Sequence, residues 1–127
     1  MKIIDRDNMA TDLLPGRKLQ RAVGKNSYSD SDAMTVGYAV YSEESGVMEP
    51  HQHAEETVVI IDSKDGYVFW GPDKDELPQK AKLCRGMILH IPENEWHVFT
   101  YDDGGFVDIV FIYGTSGNIR PEDQMKK

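Results

Sequence analysis

The side chains with the clearest chemical potential are three of the four histidines and the acids beside them. His51 and His53 form His-x-His, followed at once by Glu55 and Glu56. On an extended strand the side chains at i and i+2 leave the same face, so these two imidazoles can converge on one point. His97 lies about forty residues further on, just after a turn and at the expected start of another strand. Neutral imidazoles joined by one carboxylate suit Fe, Mn, Ni, Zn or Cu. A His-x-His in isolation is more often a pair of exposed or hydrogen-bonded side chains, so its meaning depends on the elements that hold it.

Those elements are strands. Met34, Val36, Tyr38 and Val40 alternate with Thr35, Gly37, Ala39 and Tyr41, a period of two that predicts a half-buried strand. Val107, Ile109, Phe111 and Tyr113 form a second apolar face, with Asp108 opposite. Shorter β-rich runs cover Thr57 to Ile61, Tyr67 to Trp70, Met87 to Ile91 and Trp96 to Tyr101. Turn formers separate them: Asp62 to Gly66, Gly71-Pro72-Asp73 and Asp102 to Gly105. Short helices are expected only at Asn8 to Leu14 and around Asp75 to Leu77, and Asn118 to Lys127 reads as a polar tail. Many short strands at this spacing predict an all-β sandwich or barrel.

Around the histidines the pattern continues with Gly46, Pro50-His51-Gln52-His53 and Glu56-Thr57-Val58-Val59-Ile60-Ile61. The run from Gly86 through Pro92, Asn94 and Trp96 to His97 follows. Here the chain resembles the cupin superfamily of small β-barrels. The second family motif is matched by Gly86, Pro92 and His97, with Asn94 where glycine is usual. Asparagine tolerates the left-handed backbone that a tight turn needs. Tyr101 stands where the family often has asparagine. The first motif departs more: Gly46 is four residues from His51 rather than five, and only Ala54 and Glu55 separate His53 from Glu56. Gly66 closes it after an insertion around Ser63-Lys64-Asp65. The resemblance covers about residues 34–113.

It implies a single domain over 1–127 with the double-stranded β-helix, or jelly-roll, fold of a cupin barrel. It also implies that His51, His53, Glu56 and His97 hold one divalent transition metal (Fe, Mn, Ni or Zn), with Glu55 the alternative carboxylate. Two free coordination positions could polarise adjacent oxygens of a polar small molecule, such as a sugar derivative or a hydroxy or keto acid. That is isomerase or lyase chemistry; with iron, dioxygen activation becomes possible. The alternative is a barrel that holds a metal or metabolite without turnover. Candidate catalytic groups are Tyr38 and Tyr101, if their strand faces point inward, and His90, whose face is ambiguous. By the same parity Phe99 lines the interior while Trp96 and Val98 point away. Arg17 and Arg85 could meet an anionic ligand, although arginines are usually solvated or salt-bridged; Cys84 reads as a small core residue. A homodimer is implied as well, and outward apolar positions at Val59, Ile61 and Val98 agree with it.

Composition narrows the partners. The 127 residues carry 14 Lys+Arg against 22 Asp+Glu, a net charge of −8, which suits a phosphate backbone poorly. The longest apolar run, Ile109 to Tyr113, is far too short to cross a bilayer as a helix. The charged N-terminus lacks a signal peptide's apolar stretch, and a lone cysteine allows no internal disulfide. A cytoplasmic protein with a small-molecule ligand, binding neither nucleic acid nor membrane, is the expectation.

Overall fold

Two long strands organise the protein. In the computed structural model, which describes residues 1–114, the strands are β1 (Asp12–Leu14), β2 (Arg17–Val23), β3 (Thr35–Ser42), β4 (Glu56–Gly71), β5 (Gln79–Lys82), β6 (Ile88–Ile91) and β7 (Trp96–Tyr113). The polar tail expected at 118–127 lies outside the described residues. β4 has 16 residues and β7 has 18, and they pair antiparallel along nearly their whole length, from Glu56 opposite Tyr113 to Gly71 opposite Trp96. The first half of β4 and the second half of β7 belong to a layer ordered β1-β2-β3-β7-β4-β6. The other halves pair with each other and with β5. Side chains from both layers form one core, including Leu19, Val58, Ile60, Phe99, Val107 and Ile109. This is a jelly-roll of antiparallel strands.

The expected turns at Asp62 to Gly66 and Asp102 to Gly105 do not end strands. They bend a continuous ribbon. Pairing slips between Ile60 and Asp62 and again between Lys64 and Gly66, with Asp65 at φ 50° and Gly104 at φ 78°. Bulges of this kind bend strands and let them pass from one sheet to the other. Aspartate and glycine clusters serve a bulge as readily as a hairpin, which is why composition alone read them as breaks. The expected helices are also replaced. Arg6–Asn8 is one 3-10 turn, β1 takes the residues after it, and Asp73 to Glu76 is a turn closed by a backbone hydrogen bond of 3.0 Å. No helix among the described residues is long and apolar enough to cross a membrane.

The facing of β3 is the reverse of the expected one. Thr35, Gly37, Ala39 and Tyr41 are buried, while Tyr38 lies on the outer face beneath the Arg6 guanidinium, 4.3 Å from the ring centroid. Arg6 also forms a two-pronged salt bridge to Asp108, both bonds 3.1 Å. Both faces of β3 are apolar, so the alternation could not choose. Packing chooses: a Cβ on Gly37 would lie 2.5 Å from Phe111 Cζ, so the face carrying glycine and alanine is the one that admits the Phe111 ring. Val98, expected outside, is buried, and Cys84, expected inside, is exposed.

Gly37→Ala should therefore overpack the core and lower the free energy of unfolding by about 1–3 kcal/mol. Urea denaturation measures this, and Phe111→Leu in the same chain should recover part of the loss.

Candidate metal centre

His51 is held to the start of β7 by a reciprocal backbone pair. His51 N–H donates to the His97 carbonyl and His97 N–H to the His51 carbonyl, both at 3.0 Å. His53, two residues on, keeps the same face, and its carbonyl accepts from Asn94 N–H at 2.8 Å. Asn94 has φ 65°, the left-handed conformation that its position in the sequence suggested. The turn before β7 is thus clamped to the His-x-His segment by main chain.

The three imidazoles form a cluster. Ring centroids are 4.3 Å apart for His51 and His97, 4.9 Å for His53 and His97, and 5.2 Å for His51 and His53. One potential ligand nitrogen from each lies within 4.8 Å of the others. Glu56 opens β4 with its side chain buried, its Oε1 3.3 Å from His53 Nε2 and 3.8 Å from His97 Nε2. Glu55 points the other way and meets His90 Nε2 at 2.6 Å on the surface. Between the two carboxylates considered, the turn after His53 brings Glu56 to the histidines.

Each ring is oriented through its Nδ1. His51 Nδ1 lies 3.3 Å from the Glu49 carbonyl, His53 Nδ1 2.8 Å from the Ala54 carbonyl, and His97 Nδ1 2.9 Å from the Glu95 carbonyl. A carbonyl can only accept, so each Nδ1 carries the proton. Each Nε2 is left with its lone pair toward the cluster, the arrangement that readies imidazoles for a metal. His97 Nε2 is buried without a hydrogen-bond partner, a costly situation for an acceptor unless something else fills it. Burial, then the His97 and His53 charges, lowers the His51 pKa well below its ordinary 6.5. Burial also lowers that of His97, with Glu56 opposing. Both imidazoles are neutral near pH 7, as ligation requires. The donors, their tautomers and the unfilled nitrogen all fit a divalent transition metal.

Two cavities flank the cluster. One of about 210 Å³ runs along His97 and is walled by Val68, Trp70, Leu89 and Ile91, with His90 and Glu95 also contributing. The other, about 10 Å³, lies on the side of His51 and Glu56 and is bounded by Arg17, Tyr41 and Tyr113. Arg17 is buried inside the barrel rather than solvated, and a lone arginine near the start of a strand gave no periodic signal of this. Tyr41 takes the inward place expected for Tyr38. Tyr101 is not at the cluster: its hydroxyl donates to the Gly46 carbonyl at 3.2 Å, and it lines a separate hollow with Val47 and Met48. His90 is largely exposed. A larger hollow of about 480 Å³, beside Asp12, Arg21 and Tyr28, contains no histidine.

No protein-family model matches the chain, and no curated protein matches it either. Solved structures do. The polyketide cyclase RemF from Streptomyces resistomycificus is 17% identical, with a TM-score of 0.73 over 97% of this chain and 89% of that one. A protein from Planctomyces limnophilus is 16% identical, with a TM-score of 0.68 over 95% and 92%. Hydroxypropylphosphonic acid epoxidase from S. wedmorenis is 14% identical, with a TM-score of 0.64 over 88% of this chain and 58% of its own length. At these identities the likeness speaks for the fold. The protein has a cupin-type barrel.

The lowered pKa values of His51 and His97 set a pH dependence for the metal-free protein. Both groups bind protons more weakly folded than unfolded, so stability is full above about pH 6.5 and is lost as pH falls through the folded values. The melting temperature of the metal-free protein should fall as the pH drops below about 6.5, and His51→Asn should make that fall shallower.

Proposed function

We propose that this barrel is a small metal-dependent enzyme in which His51, His53, Glu56 and His97 hold one divalent transition metal: Fe, Mn, Ni or Zn. One observation carries the reading. Three imidazoles each bring a potential ligand nitrogen within 4.8 Å of the others, while each Nδ1 lies against a backbone carbonyl. Such a donor set leaves coordination positions open, unlike a closed, cysteine-rich structural zinc site. When bound, the metal supplies a Lewis acid that polarises substrate oxygens.

The chain's own residues define what can reach it. Trp70, Val68, Leu89 and Ile91 give the larger cavity a mostly apolar wall, with His90 and Glu95 as its polar part, which favours a small organic acid with hydrocarbon substance over a polyhydroxylated sugar. The fold neighbours include a cyclase and an epoxidase, which agrees with catalysis on small molecules without selecting a reaction. A non-catalytic holding barrel remains the second reading. It is favoured by the engagement of the three candidate acid–base groups elsewhere: Tyr38 lies under Arg6, Tyr101 bonds the Gly46 carbonyl and His90 pairs with Glu55.

Protein purified without a nickel column should contain one metal per chain. His51→Ala and His97→Ala should each weaken metal affinity by more than the roughly 10–100-fold that loss of a supporting hydrogen bond costs such a site. Elemental analysis decides, and unchanged metal content in the double variant would refute the assignment. Turnover of small hydroxy and keto acids by the metal-loaded protein, with and without dioxygen, separates enzyme from holding barrel.

We also propose a homodimer through the outer face of the larger layer. Val36 stands beside Ile112, and Val59 lies between Val110 and Ile88, so neighbouring strands present a continuous apolar row. Ile88 is 67% exposed there, an apolar side chain that a partner copy would cover. Light scattering should give twice the 14.4 kDa chain mass, and Ile88→Lys should return it to the monomer value.

A further inference from the structure

Arg17 and Glu56 are the two formally charged side chains buried in the barrel among the described residues, at 4% and 6% exposure. They border the same small cavity, with His51, Tyr41 and Tyr113 around it. The sequence explains how Arg17 gets there. It follows Gly16, whose φ of 86° turns the chain from β1 into β2, and it shares the inward face of β2 with Leu19. A guanidinium is expensive to bury and stays charged at any accessible pH, so its presence beside the cluster requires negative charge nearby.

The charge count shows where that requirement leads. Without a metal, Arg17 and Glu56 cancel. The three histidines are neutral donors, so a divalent ion at the cluster leaves the closed interior two charges positive. Low-dielectric surroundings tolerate such an excess poorly. An anionic ligand reduces it, a single carboxylate to one positive charge, whereas a neutral ligand leaves it unchanged. The cavity beside Arg17 is about 10 Å³, room for roughly one water-sized atom, so what fits there is an oxygen of a head group rather than a whole molecule. A guanidinium suits carboxylate and phosphate oxygens alike, and the carboxylate is the smaller of the two head groups.

We propose that the site takes its ligand as a small carboxylate and that Arg17 is the specificity-determining residue, receiving the carboxylate on the side of the cluster where Glu56 and His51 border the cavity. This rests on the reading that the histidines and Glu56 hold a metal. It makes the substrate an organic acid and excludes neutral ketones and alcohols as good ligands. The competing role for Arg17 is to position Glu56, with no contact to ligand.

Cobalt-loaded protein separates these roles, because cobalt uptake and anion binding are read independently. Glycolate and its neutral counterpart glycolamide are titrated by calorimetry and by the visible spectrum of the bound cobalt. Wild-type protein should bind glycolate at least about tenfold more tightly than glycolamide. Arg17→Gln should take up cobalt as the wild type does and lose about 10–150-fold in glycolate affinity, the worth of one charged hydrogen-bonded contact. Arg17→Lys, which keeps the charge without the fork, should lose less. Equal binding of glycolate and glycolamide by the wild type overturns the proposal, and that comparison stands even if Arg17→Gln does not fold. Undiminished glycolate affinity in Arg17→Gln overturns it as well, as does loss of cobalt uptake in that variant, which would mark a positioning role. Failure of the wild type to take up cobalt overturns the metal reading first, and this proposal with it.

Discussion

The pairing of β4 with β7 is the constraint on which everything else depends. Glu56 begins β4 and His97 lies near the beginning of β7, and because the strands run antiparallel these residues sit at opposite ends of the shared ribbon. A straight β4 of 16 residues would hold those ends roughly 50 Å apart. Instead Glu56 Oε1 lies 3.8 Å from His97 Nε2. The ribbon is folded back on itself at the bulges around Asp65 and Gly104, and the histidine cluster exists because the ends of one hairpin-like ribbon meet. The reciprocal backbone bonds between His51 and His97 then fasten the meeting point.

Seen this way, main chain does most of the positioning. Carbonyls of Glu49, Ala54 and Glu95 orient the three rings, and the Asn94 amide holds the His53 carbonyl. Side chains supply only the donors and the walls. Such an arrangement tolerates wide variation in sequence, since carbonyls are common to all residues. This gives a physical reason for a well-superposed fold at 17% identity to RemF.

The convergence of His51, His53 and His97 was legible because strand parity and turn chemistry are local rules. The same holds for Asn94, whose left-handed φ follows from residue type and place. Other features depended on packing partners that no local rule contains. Tyr38 and Tyr41 stand on opposite faces of one apolar strand, and the Phe111 ring, more than sixty residues away in sequence, decides between them. Glu55 and Glu56 differ by one position, and the path of the turn after His53 selects the second. Arg17 could be read either as a surface arginine or as a partner for an anionic ligand, because a single charged residue has no period to betray its face. The bulges look like strand ends in the sequence because aspartate and glycine serve both.

Bringing together the two ends of a ribbon also has a kinetic meaning. Any ion held jointly by Glu56 and His97 is a crosslink between β4 and β7 as well as a ligand, and it closes a loop through both layers of the barrel. Peeling the layers apart then requires surrendering the ion, and surrendering the ion loosens the seam that keeps the layers together. Residence of the metal and lifetime of the native state would then be coupled, so the protein's persistence in a cell would depend on the supply of the ion as well as on the quality of its core.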